Sequence, residues 1–277
     1  MTCAIVSVCE GPRSVYPHAK NYEEHAIRLA YSIRRNGGKC KDFPIYLWYG
    51  EDCPPKKETV VALEALGCTL IAGVCKHPEM PVWNKIAACR DAPQTTEYLL
   101  WLDSDIYVLG DFSSLFDGFP DVAASPSTNH LNNWTHPKQK AVWQQFYALS
   151  GVAETPPDIE AHVSGGVGNF YLCSGLILFK TGLGFPELYE SMVETVLSST
   201  VPCKEQSFTQ TGLSLAVLKG GFSYALVPEH LHYVYCMRGG HLGSDTVLVH
   251  YQDNRVVEVS DEHWCPKYMY PLTPPAE

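Results

Sequence analysis

The stretch from 98 to 109, YLLWLDSDIYVL, places two carboxylates inside strongly apolar sequence. Short runs of aromatic and branched residues on both sides of Asp103-Ser104-Asp105 predict a buried strand. Buried carboxylates are costly unless something neutralises them, and a bound divalent cation does so. In an extended chain Asp103 and Asp105 point to the same side, so the strand end would offer both to one metal ion. The alternative is a strand end at which the aspartates cap a turn.

Composition limits the kinds of partner that the chain can have. Its 277 residues are 45% hydrophobic and 18% charged, which suits a globular α/β protein with a sizeable core. The net charge of −10 argues against a nucleic-acid backbone or an anionic membrane as the main partner. No run of 18 apolar residues occurs, so we expect no membrane span.

The cysteines give an expectation about compartment. Eleven are scattered along the chain and no C-x-x-C pair occurs, so neither a zinc ribbon nor a disulfide framework is indicated. We expect most of them to be buried thiols in a reducing environment. This favours a cytoplasmic protein, or a lumenal one if an anchor has been trimmed away.

The first 105 residues alternate between predicted strands and helices. This β-α-β-α-β-α-β order predicts a mostly parallel sheet with helices on both faces. Ligands of such sheets bind at the carboxyl ends of the strands, where Asp103 and Asp105 stand. The predicted strands cover 3–9, 44–49, 68–74 and 98–102, and the predicted helices cover 21–36, 60–66 and 84–89.

The second half of the chain adds shorter elements. A buried strand at 170–179 is interrupted by Ser174-Gly175, and a glycine inside a strand suggests close approach of a ligand or of backbone. The tail from Cys265 is rich in proline. Further predicted helices cover 138–150, 186–198 and 207–219, and further predicted strands cover 121–125, 224–227 and 246–250.

Three features could join the aspartate pair. His250 ends an apolar run and could be a third metal ligand, since imidazole suits manganese, or it could be an ordinary core or surface histidine. Lys85, on a predicted helix, could contact phosphate or sugar oxygens or simply face solvent. Glu205-Gln206, at a predicted helix start, could cap that helix or face a reacting carbon.

These residues resemble the GT-A glycosyltransferases, most closely the retaining glycogenin and bacterial galactosyltransferase group. Residues 83–116, WNKIAACRDAPQTTEYLLWLDSDIYVLGDFSSLF, resemble the family's lysine-bearing helix, Asp-x-Asp strand and following "V-L-x-D-hydrophobic-x-x-L-F". The segments 170–179, 203–208 and 248–251 resemble its Ser-Gly strand, its "D-Q" element and its late histidine strand. The resemblance implies a single GT-A domain, with a nucleotide-binding half at 1–110 and an acceptor-binding half at 111–277.

The resemblance also implies roles for individual residues. It implies a metal-dependent glycosyltransferase that uses Mn²⁺ or Mg²⁺. The implied donor is a nucleotide sugar, with a UDP-sugar favoured, and the implied outcome is retention at the anomeric carbon. Asp103, Asp105 and His250 would bind the metal. The implied catalytic groups are Glu205 and Gln206, and the implied donor-binding residues are Cys9, Lys85, Asp103, Ser104, Ser174, Gly175 and Arg255.

The chain departs from the family pattern at three places. Cys173 stands where the family has asparagine before Ser-Gly, and Glu205 stands where it has aspartate. The family's "G-x-x-K-P-W" segment after the histidine is missing, and Arg255 is the candidate to replace its phosphate-binding lysine.

Other functions remain open from sequence. An inverting transferase would need a carboxylate base, for which Glu205, Asp158 and Glu160 are candidates. A sugar nucleotidyltransferase would need a Gly- and Arg-rich loop after the first strand, and 10–13, EGPR, is a poor version of one. A non-catalytic sugar-nucleotide-binding protein is disfavoured by the complete set of two aspartates and histidine. Four aromatic residues could stack on an acceptor sugar or belong to the core: Trp134, Trp143, Tyr147 and Tyr171.

Overall fold

The computed structural model describes most of the chain. The described residues are 2–11, 22–78, 80–127, 137–152, 156–160, 162, 167–201, 208–234 and 242–251. The predictions for Trp134, Glu205, Gln206, Arg255 and the proline-rich tail fall outside these residues.

The described residues form an α/β fold around a central seven-stranded sheet, as the alternating pattern predicts. The strands are β1 Cys3–Val8, β2 Ile45–Gly50, β3 Cys68–Gly73, β4 Tyr98–Leu102, β5 Ile106–Val108, β6 Val122–Pro126, β7 Ile159–Glu160, β8 Val167–Gly168, β9 Leu172–Lys180, β10 Tyr224–Leu226, β11 Tyr233–Val234 and β12 Leu248–His250. The order in the central sheet is β10-β6-β9-β4-β1-β2-β3, and all neighbours are parallel except those of β9.

Helices cover both faces of this sheet because its central strands are apolar on both sides. Leu99 and Trp101 of β4 pack into one core layer, while Tyr98, Leu100 and Leu102 pack into the other. Strands buried on both faces are typical of parallel sheets. The helices are α1 Tyr22–Asn36, α2 Lys57–Ala65, α3 Asn84–Asp91, α4 Pro137–Ser150, α5 Phe185–Ser198 and α6 Phe208–Gly220.

The backbone at 103–105 corrects the extended-strand prediction. β4 ends at Leu102, and the Ile106 amide donates a hydrogen bond to the Asp103 carbonyl (3.0 Å), which closes a turn. The chain turns here because it leaves the central sheet and enters a second one. The two aspartates therefore lie on a turn between β4 and β5, and strand alternation does not explain how their carboxylates converge.

The second sheet brings the distant histidine to this turn. β12 pairs antiparallel with β5 and parallel with β11, and the β5 register sets His250 opposite Ile106. The Tyr251 amide then donates to the Asp105 carbonyl at 3.0 Å. Backbone pairing between Ile106 and His250 thus places an imidazole at the aspartate turn.

No helix in the described part of the chain has both the length and the apolar character needed to cross a bilayer.

Candidate functional site

Asp103, Asp105 and His250 converge at the carboxyl end of β4. Ligands of open α/β sheets bind at this end of the strands. His250 Nε2 lies 3.1 Å from Asp105 Oδ1 and 3.8 Å from Asp103 Oδ2. Ligand atoms of all three residues lie within 4.8 Å of one another. Two carboxylates and one imidazole suit Mn²⁺ or Mg²⁺, so this donor set fits the predicted metal.

The two oxygens of Asp103 face different partners. Oδ1 accepts hydrogen bonds from Lys85 Nζ and from the Trp101 indole N–H, each at 2.9 Å. Oδ2 faces His250. The carboxylate plane is therefore set by α3 and β4, and one oxygen remains directed toward the cluster.

Lys85 is held by β9 as well as by Asp103. Lys85 is buried, and Nζ also donates to the Ser174 carbonyl at 3.0 Å and to Ser174 Oγ at 3.1 Å. An ammonium has three N–H donors, and these three acceptors match that number. A donor sugar or phosphate would have to replace one of them to contact Lys85 directly.

Gly175 shows why β9 has a glycine beside the cluster. A Cβ at this position would lie 2.7 Å from His250 Cε1, 2.8 Å from His250 Nδ1 and 2.9 Å from His232 Nε2. Sequence predicted close approach of a ligand or of backbone, whereas the groups that approach are two imidazoles. The Gly175 carbonyl also accepts a 2.8 Å hydrogen bond from the Asp103 amide.

His232 is a buried neighbour that sequence did not single out. Its Nε2 lies 3.1 Å from His250 Nδ1, and its Nδ1 is hydrogen-bonded to Ser125 Oγ. Burial, followed by the nearby His250 and His162, lowers the pKa of His232 well below its usual range. The imidazole is therefore neutral at pH 7, with one N–H and one lone pair.

Cys173 lies close to the same two imidazoles. Ligand atoms of Cys173, His232 and His250 also lie within 4.8 Å of one another. Burial raises the pKa of the Cys173 thiol to about 11, which disfavours the thiolate that a soft metal would need. The facing histidine nitrogens are already hydrogen-bonded to each other, so we interpret this second group as support for His250.

An open pocket lies beside the aspartate turn. It encloses about 390 Å³ of space, including its mouth. It is lined by Val8, Tyr22, Val82, Lys85, Trp101, Asp103, Ser104 and Asp105.

Comparison with protein families decides the class of protein. A model of the Rhodobacterales glycosyltransferase domain matches residues 15–221. The chain belongs to this glycosyltransferase family. No curated protein sequence matches it significantly.

Solved structures show that this glycosyltransferase has the GT-A fold. The galactosyltransferase LgtC in complex with donor and acceptor sugar analogues has a TM-score of 0.52 at 10% identity, over 92% of this chain and 88% of LgtC. An active-site mutant of LgtC gives 0.56 at 12% identity, over 91% and 88% of the two chains. The apo form of GlyE from Streptococcus pneumoniae TIGR4 gives 0.55 at 14% identity, over 92% of this chain and 55% of GlyE.

The remaining predicted residues of the glycosyltransferase fall into two groups. Ser104 lines the pocket and Ser174 contacts Lys85, whereas the Cys9 side chain is fully buried in the core and Val8 lines the pocket instead. Contact of Cys9 with a base stays a prediction, as do the roles of the residues outside the described ranges. Of the proposed stacking residues, Trp143, Tyr147 and Tyr171 are buried, and the Trp143 ring packs against both tyrosine rings.

The burial of the cysteine thiols can be tested by chemical labelling. Eight described cysteines are free thiols, seven of them buried. Burial raises the pKa of Cys68 to about 12 and that of Cys89 well above its usual range. We therefore expect Cys68, Cys89 and Cys173 to resist iodoacetamide at pH 8, with less than about one tenth alkylated, since the thiolate is the nucleophile. Peptide mass spectrometry after native labelling measures this.

A guanidinium-unfolded sample, in which all three thiols should be alkylated, is the control. Rapid native alkylation of Cys173 would contradict the packing around His232 and His250 described above.

Proposed function

We propose that this chain is a metal-dependent glycosyltransferase that uses a nucleotide-sugar donor, with UDP-sugars as the first choice. The observation that carries the proposal is the convergence of Asp103, Asp105 and His250 beside an open pocket. Membership of a glycosyltransferase family and the GT-A fold give the reaction class. LgtC was crystallised with donor and acceptor sugar analogues, which supports testing sugar donors on this protein.

Asp103, Asp105 and His250 would hold Mn²⁺ or Mg²⁺. When bound, the cation supplies positive charge that binds a diphosphate and stabilises the negative charge on the departing nucleotide. Asp105 and His250 are both 4% exposed, so water competes little for their ligand atoms.

Lys85 and Trp101 act in this proposal by orienting Asp103. Their two hydrogen bonds fix Oδ1. The carboxylate is therefore held in one rotamer, with Oδ2 facing His250. Preorganised ligands bind more tightly because less conformational freedom is lost on binding. The Lys85 ammonium also leaves one positive charge at the pocket wall, close to where a phosphate would lie.

By resemblance we assign Ser104, Ser174 and Gly175 to the donor. Ser104 is at the pocket wall, and Ser174 and Gly175 lie on β9, where Ser174 accepts hydrogen bonds from Lys85. By resemblance we assign Gln206 and Glu205 to the reacting carbon, Arg255 to a donor phosphate and Cys9 to the neighbourhood of the base. By the same resemblance we propose transfer with retention.

A donor panel tests the proposal. Purified protein is incubated with UDP- and GDP-sugars, with Mn²⁺ or with EDTA, and donor hydrolysis is followed by nucleotide release. We expect Mn²⁺-dependent release from at least one UDP-sugar, and the anomeric configuration of the freed sugar then tests retention. Hydrolysis at equal rates in EDTA would contradict metal dependence, and hydrolysis of GDP-sugars alone would contradict the UDP assignment.

Gly175→Ala is expected to disrupt the metal site by displacing His250. The added Cβ would overlap the His250 ring and His232 Nε2, so the imidazole pair must move. Overpacking of this kind costs about 1–3 kcal/mol of unfolding free energy. We expect Mn²⁺ affinity to fall at least about tenfold, as measured by electron paramagnetic resonance of free Mn²⁺.

Gly110→Ala is the matched control, because the nearest atom to its added Cβ is Val247 Cγ1 at 3.9 Å. It should bind Mn²⁺ like the parent protein. Parent-like Mn²⁺ affinity in Gly175→Ala would show that the histidine pair does not need its observed position.

A further inference from the structure

We propose that His232 is a positioning residue for the metal site, and that the hydrogen bonds linking Ser125, His232 and His250 reverse direction when a cation binds. The proposal rests on the proposed metal-binding role of Asp103, Asp105 and His250. It adds His232, which is not one of the three proposed ligands, and assigns a tautomer to it with and without the cation.

The four groups form one continuous line through the interior. Ser125 Oγ contacts His232 Nδ1, His232 Nε2 lies 3.1 Å from His250 Nδ1, and His250 Nε2 lies 3.1 Å from Asp105 Oδ1. Ser125 is fully buried and His232 is 1% exposed. Bulk water therefore has little access to the His232 ring.

In the proposed cation-free state both imidazoles are neutral, and counting their protons gives the direction of each bond. A neutral imidazole carries one N–H and one lone pair. His250 Nε2–H faces the Asp105 carboxylate and donates to it, so His250 Nδ1 must accept from His232 Nε2–H. His232 Nδ1 is then an acceptor, and the Ser125 hydroxyl donates to it.

A cation at His250 Nε2 requires the opposite arrangement. Nε2 must offer its lone pair, so the His250 proton moves to Nδ1 and is donated to His232 Nε2. The His232 proton then sits on Nδ1 and is donated to Ser125 Oγ. Each imidazole keeps one proton, so no charge changes, and a serine hydroxyl can accept as well as donate. This buried line of bonds thus satisfies His250 in both states.

Three variants test the positioning role. His232→Leu leaves His250 Nδ1 without this partner, and we expect Mn²⁺ affinity to fall about 10- to 100-fold, as for other outer partners of ligating histidines. His232→Gln keeps an amide that can donate or accept, and should stay within about threefold of the parent. His230→Gln is the control, because this partly exposed histidine lies two residues earlier and should bind like the parent.

Histidine ¹⁵N NMR tests the reversal directly. Protein labelled at histidine is measured without metal and with Mg²⁺ plus UDP, and the His232 signals are assigned by their loss in His232→Gln. We expect the His232 proton on Nε2 without metal and on Nδ1 with it, a change that a purely structural role would not produce.

The outcomes separate the two proposals. A parent protein that binds no Mn²⁺ overturns this inference together with the proposed function. A parent that binds Mn²⁺ while His232→Leu binds it equally tightly, or an unchanged His232 tautomer on metal addition, overturns this inference alone. Should His232→Leu fail to fold, the tautomer measurement in the parent decides.

Discussion

Asp105→Asn is expected to lose Mn²⁺ binding by at least about 100-fold, and Mn²⁺-dependent donor turnover by about 10²–10³-fold. The amide keeps the size of the side chain and one oxygen that can accept from His250 Nε2–H. It removes the negative charge that holds a divalent cation. We therefore expect the unfolding free energy to change by less than about 1 kcal/mol, since the hydrogen bond survives. Isothermal titration with Mn²⁺, turnover assays and urea unfolding measure the three effects.

Asp117→Asn is the matched control, because this aspartate is exposed and lies outside the pocket. It should match the parent in all three measurements. Tight Mn²⁺ binding by Asp105→Asn would remove the aspartate from the metal site.

Lys85→Met is expected to weaken both the fold and the site. Methionine keeps much of the aliphatic stem but leaves Asp103 Oδ1, Ser174 Oγ and the Ser174 carbonyl without their shared donor. Asp103 Oδ1 keeps its bond from the Trp101 indole, so the loss is that of the charge-assisted bonds from Lys85. We expect it to cost about 1–3 kcal/mol of unfolding free energy. With Asp103 less firmly oriented and a positive charge lost from the pocket wall, we expect UDP affinity in Mn²⁺ to fall about 10- to 100-fold.

Lys76→Met is the matched control, because it shows the effect of replacing a lysine that lies outside the site. Lys76 is half exposed and pairs at the surface with Glu190 and Glu194, and such pairs contribute less than about 1 kcal/mol. It should bind UDP like the parent. Equal UDP affinity in Lys85→Met and Lys76→Met would show that Lys85 does not support the donor site.

The α/β fold could be predicted from sequence because its strands and helices have local patterns of apolar residues. Apolar runs such as 98–102 and 170–179 predict doubly buried strands, and the structure places both in the central sheet, paired antiparallel with each other. The turn at 103–105 was only the alternative prediction, because the apolar run resumes at Ile106. Nothing local shows that the second run belongs to another sheet.

The candidate site was only partly readable for a related reason. Asp103, Asp105 and His250 stand out because charged or titratable groups interrupt apolar runs, and their convergence in the structure agrees with that interpretation. His232 and Ser125 look ordinary in sequence, and their importance arises only from contacts across 107 and 18 residues of chain. Trp101 falls within the predicted buried strand, and the hydrogen bond from its indole N–H to Asp103 adds a polar role.

The most direct test of the central claim is calorimetric titration of UDP into the parent protein, once with Mn²⁺ and once with EDTA. If Asp103, Asp105 and His250 hold a cation that binds the donor diphosphate, UDP should bind at least about tenfold more tightly with Mn²⁺. Equal UDP affinity in Mn²⁺ and in EDTA would contradict the account.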